Sequence, residues 1–306
     1  MDPMTAQQVP LPTVAASVVV VEPQESAPGW WAGGPSVVQS DGLIYLAYRL
    51  RRPIVEGRGY RNVVARSSDG VTFETVAEID KCTFLTDSLE RPCLVRTPTS
   101  WRLYVSCATP NTKHWRVELL ESDTVEGLAT ASSRVVLPGS GSVAVKDPVI
   151  VYDDGRWHLW AAVHPLDSWD DADVMTAAYA RSDDGVRWTW HRTVLTGRPG
   201  QWDARGVRIT SVMVDGDRLT ATYDGRATPE QNGEEVTGVA VGQRGPDGLF
   251  GELRSVSGAP LTSPSGTGLR YCAVLPLPDG SFRWYFEMAR PDGAHELRTE
   301  LVTPSR

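Results

Sequence analysis

Several acids in this 306-residue chain stand where apolar strands begin or end, and their type and spacing suit proton-transfer chemistry. Asp147 directly precedes a proline in "KDPVIVYDDG", and Glu90 adjoins Arg91 in "ERP". Asp203 lies in "WDARG", Asp224 in "YDG" and Glu287 in "YFEMARPDG". Two carboxylates flanking one bond are the usual requirement for splitting a glycoside, one as acid and the other as base or nucleophile. Asp147, Glu90, Asp203 and Glu287 are the candidate catalytic acids, with Asp224 among the expected substrate-binding residues. His164 is a further candidate acid or base, because an unperturbed imidazole titrates near neutrality.

The arginines suggest a different chemistry. Arg91, Arg205, Arg208 and Arg270 fall at or near strand starts, and Arg61 lies just beyond a long loop. Converging guanidiniums bind carboxylate or phosphate through paired hydrogen bonds. The alternative is that each arginine neutralises a nearby acid such as Glu90, Asp203 or Glu287. Trp30, Trp31, Trp169 and Trp202 are candidates for a stacking wall, for which the alternative is ordinary packing. Tyr271 follows Arg270 in "GTGLRY" and joins the expected binding residues.

The elements that must position these residues form a repeat. Five stretches share one grammar of apolar strand, polar turn and alternating aromatic strand: "GPSVVQSDGLIYLAYRL" from Gly34, "RPCLVRTPTSWRLYVSC" from Arg91, "DPVIVYDDGRWHLWAAV" from Asp147, "ITSVMVDGDRLTATYDG" from Ile209 and "CAVLPLPDGSFRWYFEM" from Cys272. A third strand follows each, and in most cases a turn and a short fourth, which is the unit of a β-propeller blade. The expected fold is all-β: one five-bladed propeller spanning residues 1–306, with 1–15 flexible. "ASVVVVEP" at Ala16–Pro23 is placed to supply the outer strand of the last blade. The first strand of each blade then lines the axis, and Asp147 is expected at its mouth, facing a ligand. The acids, aromatics and arginines concentrate in the loops of one face.

Composition narrows the function. A formal charge of −8 argues against a general nucleic-acid binder, which needs a basic surface. No run of 18 apolar residues is present, so no membrane span is expected. The N-terminal stretch lacks the basic start and apolar core of a signal peptide, and Cys82, Cys93, Cys107 and Cys272 are widely spaced, which together suggest reduced thiols and a cytoplasmic location. There is no phosphate loop, nicotinamide fingerprint or metal-ligand spacing, so no cofactor and no metal are expected. The sequence leaves the oligomeric state open.

The five-blade grammar, the "DP" before an axial strand and the "SxDGxxW" turns resemble one superfamily over roughly residues 16–304: the family 43 glycoside hydrolases, the invertase group and the mannoside phosphorylases. The resemblance implies an Asp base at the start of blade one, a second Asp that tunes the acid, and a Glu acid further on. Asp147 matches the second of these. At the start of blade one this chain has Gly34. Three readings follow. The first, which the resemblance implies, is a carbohydrate-active enzyme acting on a small glycoside in the central funnel, with Asp147 and one of Glu90, Asp203 or Glu287 as its acids. The second is a repurposed enzyme of natural-product metabolism, a cyclase, lyase or isomerase acting on an acidic small molecule. The third is a ligand-binding propeller without catalysis.

Overall fold

The computed structural model describes residues 9–153, 155–168, 170–263 and 268–304. Its strands, in chain order, are β1 (Val18–Val21), β2 (Trp31–Ser40), β3 (Leu43–Arg51), β4 (Gly59–Ser67), β5 (Glu74–Asp80), β6 (Leu89–Arg96), β7 (Trp101–Ala108), β8 (Trp115–Ser122), β9 (Arg134–Leu137) and β10 (Val143–Asp153). They continue as β11 (Arg156–Pro165), β12 (Thr176–Ser182), β13 (Thr189–Leu195), β14 (Gly206–Asp215), β15 (Arg218–Arg226), β16 (Val236–Gln243), β17 (Arg254–Ser255), β18 (Leu269–Pro276), β19 (Phe282–Ala289) and β20 (His295–Val302). The helical elements among the described residues are short 3₁₀ turns.

Three four-stranded antiparallel sheets run β6 to β9, β10 to β13 and β14 to β17. A larger sheet contains two further antiparallel sets, β2 to β5 and β18-β19-β20-β1. These two meet where Trp31 of β2 pairs in parallel with His295 of β20. As the sequence suggested, β1 supplies the outer strand beside β20, with Val18 opposite Thr299. Glu300 fixes the approach to β1, accepting from the Val14 amide at 2.7 Å and the Thr13 amide at 2.9 Å. The first strands β2, β6, β10, β14 and β18 touch one another in cyclic order.

Apolar side chains fill the spaces between consecutive sheets, as alternation along two-sided strands requires. Tyr45 and Val64 pack on Leu94 and Leu103, Tyr104 on Ile150 and Leu159, and Trp160 and Tyr179 on Ile209 and Tyr223. Ile44 and Leu46 meet Ala273 and Tyr285 at the closure. The "SxDG" turns act in these contacts. Asp69 and Asp184 each accept two backbone amides within their own turn. Tyr285 and Tyr104, from neighbouring sheets, donate to the Gly70 and Gly185 carbonyls, each at 2.9 Å.

Each first strand breaks register at the same place near the axis: between Gly33 and Ser36, Leu89 and Pro92, Lys146 and Val149, Ile209 and Ser211, and Arg270 and Ala273. A bulge bends the strand and leaves backbone groups without a ladder partner. Arg91 takes up three of them. Its Nε donates to the Pro35 carbonyl at 3.1 Å, Nη1 to Pro148 at 2.8 Å and Nη2 to Thr210 at 2.6 Å. One guanidinium thus ties β6 to β2, β10 and β14.

Two stability outcomes follow. Arg91→Met keeps the bulk and removes every donor, so unfolding in urea should show a loss of about 3–5 kcal/mol, the cost of orphaning buried polar groups in one cluster; a loss below ~1 kcal/mol would contradict the tie. Removing residues 1–23 bares the edge of β20 and should lower the thermal midpoint by at least ~5 °C, read by circular dichroism. An unchanged midpoint would mean that β1 does not close the structure.

Candidate functional site

The residue after each register break points into the axis. In β2, β6, β10 and β18 these are Gly34, Glu90, Asp147 and Tyr271. Gly34, Asp147 and Tyr271 share left-handed backbone, with φ of 62°, 51° and 51°. For Asp147 and Tyr271 this conformation is strained, and it is held by the strands on either side. The Asp147 amide donates to Ser106 Oγ at 2.9 Å. The Tyr271 amide donates to both oxygens of Asp224, at 3.1 and 2.9 Å.

Around the Tyr271 ring runs an alternating chain of charge. Arg49 joins Glu90 to Glu287, the latter at 3.1 Å. Arg270 continues from Glu287 at 3.2 Å to Glu235 at 2.8 Å. Arg208 lies 3.3 Å from Glu235, 3.0 Å from Asp224 and 3.8 Å from Asp147. Lys146 ends the chain, 3.7 Å from Asp147. The guanidinium carbons of Arg208, Arg270 and Arg49 stand 3.8, 4.9 and 5.4 Å from the Tyr271 ring centre, in the range of cation–π attraction. Gly33 makes room for this lattice, since a Cβ there would meet Glu287 Oε2 at 1.9 Å.

Burial and charge oppose each other throughout. Burial alone would raise Glu287, yet Arg270, Arg49 and His295 hold it well below the usual carboxylate range. Burial likewise works against Glu235, which Arg208, Arg270 and Arg226 pull far down. Asp147 is lowered in the same way, by Lys146 and Arg208 against burial. Asp224 is the exception: burial wins and raises it, even though Arg208, the Tyr271 amide and Thr237 favour its charged form. Burial pushes the Tyr271 phenol up to about 12.

Above the lattice lies a rim of aromatics and cations. Trp31 stacks on His295, with ring centres 4.2 Å apart and planes 12° from parallel. His295 Nδ1 donates to Glu287 at 2.7 Å. Arg51 sits 4.0 Å over the Trp31 ring and reaches Glu90 only at 4.0 Å. Its pKa falls to about 9, through burial and then through Arg49, Arg58 and Arg270. Arg58 lies 5.9 Å from the Trp115 ring centre and has no ion pair among the described residues. Burial and Arg49 lower its pKa as well. Lys146 stands 5.2 Å from the same ring. His164 shares its sheet face, since Ala144 pairs with His164 and Lys146 with Ala162.

Of the residues expected from sequence, Glu90, Asp147, Glu287, Arg91, Arg208, Asp224, Arg270 and Tyr271 meet at the axis, with Trp31 and His164 above them. Four depart from expectation. Asp203 turns away to Arg198 at 2.8 Å and the Tyr223 hydroxyl at 2.8 Å, so it faces no axial acid. Arg205 pairs with Asp173 at 2.7 Å, and Arg61 with Glu78 at 3.0 Å on an outer strand. Trp202 packs on Tyr223, with ring centres 5.5 Å apart. Two others differ in detail. Arg91 reaches backbone carbonyls of three neighbouring sheets, and the Asp147 side chain is 1% exposed, enclosed by Lys146 and Arg208 and not open to a ligand at the mouth. Trp30 is half-buried beside the Trp31 rim, and Trp169 lies outside the described residues. Arg49, Arg51, Lys146, Glu235 and His295 were not anticipated. Lys146 carried a signal, standing beside Asp147 in "KDP".

All four cysteines are free. No helix of the described residues is long and apolar enough to cross a membrane. No group of three His, Cys, Asp or Glu among them is placed to hold a metal ion.

No family model matches the chain. An α-L-arabinofuranosidase 43 from Humicola insolens is 24% identical over 147 residues, covering 47% of this chain and 29% of that protein. A thermostable family 43 glycoside hydrolase superposes with a TM-score of 0.67 at 16% identity, covering 88% of each chain. A family 43 enzyme from Xanthomonas citri, solved with xylotriose, gives 0.66 at 14% identity over 94% of this chain and 91% of that one. A structure from the family 130 mannoside phosphorylases gives 0.59 at 16% identity over 99% and 93%. The chain therefore has the β-propeller fold of the family 43 and family 130 glycoside hydrolases.

Proposed function

We propose that residues 1–306 form a single five-bladed propeller, and that it is a carbohydrate-active enzyme of the family 43 type whose axial mouth takes a small glycoside bearing an acidic group. The five register breaks and the cyclic contact of the first strands support the blade count. The fold shared with sugar-processing enzymes supports the substrate class, as an analogy. The observation that carries the acidic group is the rim. Arg51, Arg58 and Lys146 converge there with less than a full share of carboxylate: Arg51 reaches Glu90 only at 4.0 Å, Lys146 reaches Asp147 only at 3.7 Å, Arg58 has no ion pair among the described residues, and burial lowers the pKa of each.

A second reading, a lyase or isomerase acting on the same kind of ligand, is favoured by the carboxylates. Glu90, Asp147, Glu235 and Glu287 each lie against a cation. Glycoside cleavage by paired carboxyls needs one of them protonated near neutral pH. Gly34 leaves the blade-one position without any carboxylate.

Calorimetric titration against glucose and glucuronate, and against galactose and galacturonate, tests the ligand class. The acid of each pair should bind at least ~tenfold tighter, and Arg58→Ala or Arg51→Ala should each remove about 10–100-fold of that affinity, the worth of a charge-assisted hydrogen bond. Equal affinity for both members of each pair, unchanged in the variants, overturns the reading. Aryl glycosides then divide the two reactions: hydrolysis that is lost in Asp147→Asn supports the glycosidase, and acid binding without hydrolysis supports the second reading.

A further inference from the structure

The chain has 27 arginines and only three lysines, Lys81, Lys113 and Lys146. A guanidinium stays protonated in proteins, whereas an amine can lose its proton and become a nucleophile. Lys146 is the one lysine of the axial lattice. Lys81 lies elsewhere, donating to the Gly57 carbonyl at 3.1 Å, and Lys113 belongs to the loop before β8.

The Lys146 amine is held in place without being consumed. Asp147 Oδ2 is 3.7 Å away, beyond hydrogen-bond length, and the Trp115 ring lies on another side at 5.2 Å. The side chain keeps 13% of its surface open. Two buried acceptors close by have no partner: Asp147 Oδ1 and His164 Nε2. His164 Nδ1 donates to the Ala172 carbonyl at 3.1 Å, so Nε2 carries the free lone pair. His164 is 7% exposed, and burial with Lys146 beside it lowers its pKa to about 3, which keeps it a neutral acceptor. Orphaned acceptors in a buried polar site imply a ligand or water that donates to them.

We propose that Lys146 is a carbonyl-reactive amine, and that the mouth takes an anionic aldehyde or 2-oxo acid, such as an open-chain sugar acid, as an imine on its Nζ. This rests on the acidic-ligand reading above and names the reactive group of that ligand. The Nζ lone pair forms the new C–N bond as the carbonyl C–O bond breaks. Nitrogen gives up both its protons and the oxygen departs as water, so neither oxidant nor reductant is used. Asp147 Oδ1 and His164 Nε2 stand where they can accept the hydrogen bonds of the carbinolamine, while Arg58 holds the ligand's anionic group.

The electrostatics agree. Burial lowers Lys146 from 10.5 to about 8. Arg208 of β14 and Arg226 of β15 add to the lowering, while Asp147 and Glu235 oppose it. Neutral His164 of β11 adds no charge, and Arg58 stands 5.9 Å from the centre of the same Trp115 ring. At pH 7.5 this leaves about a hundredfold more free amine on Lys146 than on an ordinary lysine.

The test is glyoxylate with sodium cyanoborohydride at pH 7.5, which fixes an imine as carboxymethyl-lysine, followed by peptide mass mapping. Lys146 should be labelled at least ~tenfold faster than Lys81 or Lys113, and ~tenfold faster by glyoxylate than by propionaldehyde. Arg58→Ala should abolish the preference for the acid. Lys146→Arg keeps the positive charge and should lose the label at that site. The wild-type rates decide the matter even if a variant fails to fold. Labelling of Lys146 at the pace of the other lysines, or equal labelling by the neutral aldehyde, overturns the proposal. Glucuronate binding without selective trapping defeats the imine alone, and absence of acid binding defeats the reading beneath it.

Discussion

Arg91 donates to three backbone carbonyls drawn from three different sheets. Where strands crowd an axis, each bulge leaves polar backbone groups in a place water barely reaches, and an unpaired buried carbonyl costs of order 1–3 kcal/mol. A planar guanidinium, with five N–H donors in a fixed fork, can serve three carbonyls in different directions at once. Arg91 thereby satisfies three of the carbonyls that the inward bulges expose. With that level closed, the side chains above have a fixed floor. Glu90, Asp147 and Tyr271 stand on it at equivalent places in their strands.

From that floor the charge lattice follows. Once Glu90, Asp147 and Tyr271 are aimed at the axis, the opposing second strands must bring compensating groups. Arg49 pairs in register with Gly33, Glu287 with Arg270, and Asp224 with Arg208. Removing one member of such a buried pair leaves the other charge stranded, so the lattice stands or falls together. Its cost appears at the rim, where Arg51, Arg58 and Lys146 keep positive charge that no carboxylate fully answers. The same balance bears on chemistry. Carboxylates held below their ordinary pKa are poor proton donors at neutral pH. The groups left to act are Asp224, whose pKa burial raises, an amine, an imidazole lone pair and whatever the ligand brings.

The blades were legible because their signals are local: alternation, "DG" turns and one hairpin grammar repeated along the chain. The axial positions were legible for the same reason, since a bulge at a fixed place in the hairpin puts Glu90, Asp147 and Tyr271 at equivalent places in their strands. Asp203 and Arg61 misled because their partners are close by, and Arg205 because Asp173 reaches it from a loop of the preceding sheet. Arg198 lies five residues before Asp203, and Glu78 sits on the strand beside Arg61. Arg49, Glu235 and His295 reach the site from second strands, loops and the ring closure. Nothing in the local sequence says that "YRLRR" and "AHELR" will meet across Trp31. Lys146 was overlooked for being next to the residue that drew attention. Its rarity among so many arginines was the signal available.

The central claim is that Asp147, Glu235 and Glu287 are held as anions by the cations packed against them. Carbon-13 NMR of side-chain carboxyls between pH 4 and 8 tests it most directly, with resonances assigned through Asp147→Asn, Glu235→Gln and Glu287→Gln. A carboxylate depressed by cations stays ionised until the pH falls to its lowered pKa, so none of these three should titrate in that range. A titration of any of the three between pH 5 and 7 would mark a protonatable acid at the axis, and would contradict the account.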